Sequence, residues 1–195
     1  MTIIIPKTRV TFSDYLSYFD DSDTKYELVD GELIPMSLAT GKHNGIMKAL
    51  EHIFDVEIER LNLPWIALQG TVGVRCPRGI GLDTCRIPDL TVMLQADWQT
   101  LQEREAAIDF DLNSPLLVIE VVSPSTKATD YRAKRTEYAA RDIPEYWIVD
   151  PLEAKVSVLV NTDGWYDVAE FQEATPLVSP TFPELVLNPT QIFSL

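Results

Sequence analysis

The stretch "PLLVIEVVSP" (Pro115–Pro124) decides the fold. Leu116, Leu117, Val118, Ile119, Val121 and Val122 make it apolar on both pleat faces, and prolines close the run. That pattern predicts a central strand covered on both sides. Glu120 interrupts it. An unpaired carboxylate in such a strand costs several kcal/mol or surrenders its charge, so Glu120 demands a partner.

Downstream, a helix is predicted from about Thr129 to Arg141, with Asp130 in the first turn where the dipole favours an acid. The apolar "EYWIVD" (145–150) then reads as a second strand, and the connection is long enough for a parallel crossover. Upstream, "WIALQGTVGVRC" (65–76) and "RIPDLTVML" (86–94) read as strands joined by the Gly- and Pro-rich "PRGIGLDT". A polar stretch from Trp98 to Ile108 reads as helical. From Gly41 to Leu61, Ile46, Leu50, Ile53, Phe54, Ile58 and Leu61 follow helical spacing.

Two hairpins are signalled by Asp30-Gly31 and Asp163-Gly164. In the first, Val29 faces Glu32 and Glu27 faces Ile34, so Glu27 and Glu32 project from one side. Thr11 and Asp14 are spaced as a capping pair, and Asn188-Pro189 opens a last helix. The order predicts an α/β domain spanning residues 1–195, its central mixed sheet (α+β) flanked by helices and extended by N-terminal and C-terminal hairpins.

The chain of 195 residues carries net charge −14, which argues against electrostatic coating of nucleic acid. The charge is uneven: Lys127 to Arg141 is net +3, a strip able to meet a phosphate, especially through a divalent cation. No apolar run is long enough to cross a membrane, and "MTIIIPKTRV" is broken too early by Pro6 for a signal peptide. Cys76 and Cys85 are therefore read as free thiols of a cytoplasmic protein; with only His43 and His52 beside them, a structural zinc site lacks ligands.

Asp89, inside "RIPDLTVML", repeats the puzzle of Glu120. Two acids in two buried strands point either at one hard divalent cation or at arginine partners such as Arg75 and Arg86. In the following helix, Lys127, Tyr131, Lys134, Tyr138 and Arg141 form one stripe at about 100° per residue. The tyrosines are expected to pack on the sheet, and Lys134, with a solvated tip, to face the strand end.

With these residues in view, the chain resembles a known family. "YELVDGELIPM", "RIPDLTVM" and "IEVVSPSTKATDYRAKRTEYAARDIPEYWIVDP" are similar to the Uma-type restriction endonucleases, a domain of unknown function expanded in photosynthetic bacteria. The family falls in the PD-(D/E)xK nuclease superfamily, which implies a restriction-endonuclease-like fold and Mg²⁺- or Mn²⁺-dependent hydrolysis of DNA. The resemblance implies that Asp89 and Glu120 bind the metal, and that a lysine two residues after the glutamate serves the attacking water. Position 122 is Val, which departs from that pattern. Lys134 is the natural substitute and Lys127 the next. Val122, on the pleat face of Glu120, is expected to point at the acids. The remaining acid of the pattern falls on Glu27, with Glu32 on the same side. His43 is read as a capping or packing residue, with the cleft as its alternative. A homodimer would supply two cleavage sites. The rival readings are a catalytically weak binding or assembly module and a hydrolase of a smaller phosphoester.

Overall fold

The computed structural model describes residues 9–21, 24–78 and 81–194. Most of the opening stretch read above for a signal peptide, and part of the "PRGIGLDT" link, lie outside them. In chain order the elements are α1 (Phe12–Leu16), β1 (Tyr26–Val29), β2 (Glu32–Pro35), α2 (Gly41–Leu61), β3 (Trp65–Gln69), β4 (Gly73–Cys76), β5 (Thr84–Arg86) and β6 (Leu90–Leu94). Next come α3 (Gln95–Leu101), β7 (Ala107–Ile108) and β8 (Leu117–Val121). A π-helical turn (Thr129–Lys134) then runs into α4 (Arg135–Ala140), followed by β9 (Glu145–Asp150), β10 (Lys155–Thr162), β11 (Trp165–Gln172) and α5 (Pro189–Phe193).

The class is α/β with mixed sheets, as expected, but there are two of them. One runs β2-β1-β5-β4-β7 and the other β11-β10-β9-β8-β6-β3. The hairpins expected as additions are integral to these two sheets, with β2 and β11 as edge strands. β8 holds the middle of the second sheet, parallel to β9 and antiparallel to β6. Ile46, Leu50 and Phe54 of α2 cover one face of β8 together with Trp147, Val149 and Phe182; Phe54 stacks 5.6 Å from Trp147 and 5.0 Å from Phe182. Val118 and Val122 meet Tyr138, Tyr146 and Ile148 on the opposite face. Each such side chain contributes about 1.5–3 kcal/mol on burial, which fixes β8 as the rigid member.

The two stretches read as single strands are each broken. β3 and β6 pair down to Gln69 opposite Leu90, and β4 and β5 pair from Val74 opposite Arg86, in the other sheet. They form one long hairpin bent across its middle. Gly70 takes φ +54 at the bend, and its N–H bonds the Asp89 carbonyl across the corner at 3.0 Å. Asp89 therefore stands in the corner between sheets, one rung beyond Leu90–Ile119 and so opposite Glu120. The stretch expected to be helical from Trp98 to Ile108 has its helix earlier, over Gln95–Leu101, and ends in strand β7.

The remaining local signals hold. Thr11 and Asp14 form the capping box of α1, and Asn188 caps α5 with Pro189 at its first position. Cys76 and Cys85 are free and buried. Among the described residues no helix is long and apolar enough to cross a membrane.

Gly73 is needed for close approach rather than for turning. A Cβ there would stand 2.8 Å from Cys85 Sγ and 3.4 Å from Ala107 Cβ. Gly73→Ala is expected to cost about 1–3 kcal/mol by overpacking, measurable as a fall in the urea midpoint without a change in slope.

Candidate functional site

The site begins with the corner. The Val121 N–H donates to Asp89 Oδ2 at 2.7 Å, tying the acid to the strand end beside Glu120. His43 completes the clamp from the first turn of α2, where Thr40 caps the helix. Its Nε2 lies 2.9 Å from the Val121 carbonyl and 3.1 Å from Asp89 Oδ2. Both partners are acceptors, so Nε2 carries the proton. Burial opposes the imidazolium, but the hydrogen bond and charge of Asp89, with the Val121 carbonyl, outweigh it and raise the His43 pKa. Thr40, not His43, caps the helix, and a helix start aimed at the strand end delivers the His43 ring to Asp89 and Val121.

Glu120 is 2 % exposed and has two partners. Lys134 Nζ lies 2.8 Å from Oε2, and the Tyr138 hydroxyl donates to Oε1 at 2.6 Å. Neither Glu120 nor Asp89 pairs with an arginine here. The Glu120 pKa is raised to about 8, chiefly by burial and with help from Asp89, Asp130 and Glu27, while Lys134 pulls against them.

Lys134 is buried, its ammonium 3.2 Å from Asp130 Oδ1 and 4.0 Å from Glu27 Oε1. Burial works against its charge, but Glu120, Glu27 and Asp130 win, and it holds its proton well above the usual lysine range. The solvated tip expected from the sequence is absent because the π turn brings Asp130, Lys134 and Tyr138 to one side, toward β8. The predicted stripe is split accordingly. Lys127 pairs with Asp150 at 3.2 Å and with Glu153, and Tyr131 donates to Asp150, so both turn away from the acids. Arg141 donates to the carbonyls of Asp109 and Leu112.

Glu27 is held on two sides: Arg86 Nη1 meets Oε2 at 2.9 Å and the Ile87 N–H donates to Oε1 at 3.0 Å. Arg86 in turn grips Glu137 of α4 through Nε and Nη2 at 2.6 and 3.0 Å. This buried bridge ties the five-stranded sheet to the helix that carries Lys134. Glu32 is exposed on β2, away from that bridge. Val122 lies on the Glu120 face of β8, packed with Val118, Tyr138 and Ile148, and supplies no charge there.

The structure therefore gathers Asp89, Glu120, Lys134 and Glu27 at one corner, and adds His43, Tyr138, Asp130 and Arg86 to them. The sequence offered each of these four residues in another role, and the bend and the π turn hid how they converge.

Comparison with known proteins follows the same line. A crystal structure of a "putative nuclease belonging to DUF820" from Anabaena variabilis superposes with a TM-score of 0.74 at 21 % identity, covering 95 % of this chain and 98 % of that one. An uncharacterized protein of Synechocystis sp. is 25 % identical over 181 residues, which take in 88 % of this chain and 85 % of the relative. Residues 12–190 match the Uma2 family, described as "Putative restriction endonuclease". With every element from α1 through β11 inside that match, the chain belongs to the Uma2 family.

Proposed function

We propose that the protein is a divalent-metal-dependent endonuclease that hydrolyses DNA phosphodiester bonds, with Asp89 and Glu120 as metal ligands. The observation that carries this reading is the meeting of Asp89, Glu120 and Lys134 at the end of β8. Among the described residues no three His, Cys, Asp or Glu side chains form a finished cage. The donor set nevertheless suits Mg²⁺ or Mn²⁺: it is made of carboxylates, and one of them, Asp130, has two buried oxygens that accept no well-formed hydrogen bond. When bound, such an ion supplies a water of lowered pKa and offsets charge on the phosphoryl oxygens.

The protein's own groups do the rest. The Val121 N–H and His43 stop Asp89 from rotating, and Tyr138 fixes Glu120. Lys134 keeps its proton, so it acts at neutral pH as a fixed positive charge and donor toward the attacked phosphate, not as a general base. Glu27, with both oxygens engaged, orients Lys134 and Arg86 rather than taking a metal. The net charge of −14 argues for local rather than extended contact with DNA. A binding-module reading draws on Val122, where the superfamily pattern has lysine.

Purified protein with Mn²⁺ is expected to nick supercoiled plasmid, and EDTA to stop it. Nicking that persists in EDTA would remove the metal from the reading. Inactivity on DNA with either metal would favour the module.

A further inference from the structure

Asp130 is the least explained charge in the molecule. It is 1 % exposed, and although the Thr126 hydroxyl and the Lys134 ammonium come near, neither carboxylate oxygen accepts a well-formed hydrogen bond. Lys134 approaches Oδ1 at 3.2 Å as an ion-pair contact only. Burying a carboxylate with so little hydrogen bonding costs several kcal/mol. The backbone around it is, by contrast, fully tied: the Asp130 N–H bonds the Thr126 carbonyl at 2.9 Å, and the Tyr146 hydroxyl donates to the Asp130 carbonyl at 3.0 Å. The side chain is held in place by its main chain while its own oxygens are left open.

Its position in a π turn adds to this. Such turns are rare and recur at functional sites. This one sets Asp130 and Lys134, four residues apart, against Glu120. Asp89, Glu120 and His43 all lie close enough to feel its charge.

We infer that Asp130 is a third carboxylate ligand of the divalent-cation centre, joining Asp89 and Glu120, and that the Lys134 ammonium is its stand-in partner until the cation arrives. This rests on the metal-dependent reading above. It explains why no finished cage exists among the described residues: the ammonium stands between Glu120 and Asp130, the two acids that the cation would draw together. It also gives the open oxygens of Asp130 an occupant of matching chemistry, since hard cations take carboxylate oxygen.

The test titrates Mn²⁺ into the full-length protein by calorimetry, with the free-Mn²⁺ electron paramagnetic resonance signal as a second measure. Wild type is expected to bind. Asp130→Asn, which keeps the shape, is expected to bind at least roughly ten- to a hundredfold more weakly, since even an outer-shell partner is worth that much. Loss of charge alone would weaken binding somewhat, so a second variant asks about direct contact. Asp130→Cys should raise the preference for Cd²⁺ over Mn²⁺ by tenfold or more, because a thiolate ligand favours the softer ion. Unchanged Mn²⁺ affinity in Asp130→Asn, or an unshifted Cd²⁺ preference in Asp130→Cys, overturns the assignment and leaves Asp130 as the partner of Lys134. No Mn²⁺ binding by wild type overturns the metal reading itself, a different failure.

Discussion

Lys134→Met is expected to lower the stability of the metal-free protein by about 3–5 kcal/mol, the cost of removing one partner from a buried charge cluster. Methionine preserves the length and the packing of the stem, so the loss isolates the ammonium. That ammonium sits 2.8 Å from Glu120 and 3.2 Å from Asp130, both almost fully buried, and without it neither acid has a cation against it. In a chain of this size the melting temperature should fall by roughly 6–20 °C. The loss also has a pH sign. Burial already raises the pKa values of Glu120 and Asp130, and removing Lys134 raises them further. A group whose folded pKa lies above its unfolded value favours the fold at low pH and disfavours it as pH rises toward the folded pKa. The deficit should therefore deepen from pH 6 to pH 9, most steeply around and above the Glu120 value of about 8, and saturating Mn²⁺ should recover part of it. Denaturation in EDTA at both pH values checks the expectation; a loss under about 1 kcal/mol at pH 9 would mean that the ammonium contributes no more than a surface pair.

This expectation departs from what the sequence alone suggests for Lys134, and the reason is instructive. Periodicity makes long elements legible, so β8, β9, α2 and both hairpins are readable from apolar spacing and Asp-Gly turns. It also makes Glu120 conspicuous. What periodicity hides is a change of geometry that leaves the pattern intact. The runs 65–76 and 86–94 keep their strand-like character through the sheet corner, and only Gln69-Gly70-Thr71 and Pro88-Asp89 mark it. A stripe drawn at α-helical spacing unites Lys127, Tyr131 and Lys134. The π turn separates them, sending the first two to Asp150 and the third to Glu120.

The same limit applies to the partners of the acids. Spacing identified Asp89 and Glu120 as residues in need of compensation, but not what compensates them. Arginines were the obvious sequence candidates. Arg75 goes instead to Asp83 and Asp109, and Arg86 to Glu27 and Glu137, because each lies on the five-stranded sheet while Glu120 lies on the other. His43 reaches Asp89 from 46 residues earlier in the chain, a contact that only the tertiary arrangement of α2 on the sheet creates.

On the nuclease reading, Asp89→Asn and Glu120→Gln are each expected to reduce Mn²⁺-dependent nicking about a thousandfold or more. A metal offers several kcal/mol of transition-state stabilisation, and roughly 4 kcal/mol corresponds to that factor. The double variant should be scarcely worse than either single one, because both acids serve one ion and the first loss already removes it. Stability should move the other way for Glu120→Gln. Burial and three neighbouring acids oppose the Glu120 charge, so a neutral amide that still accepts from Tyr138 relieves repulsion in the metal-free protein. Asp89→Asn lacks this relief, since it weakens the charge-assisted contacts from the Val121 N–H and His43. The two variants should thus agree in plasmid nicking and in loss of Mn²⁺ binding while diverging in EDTA, with Glu120→Gln melting at or above wild type and Asp89→Asn below it. Strictly additive activity losses in the double variant would show that the two acids do not act through a common ion.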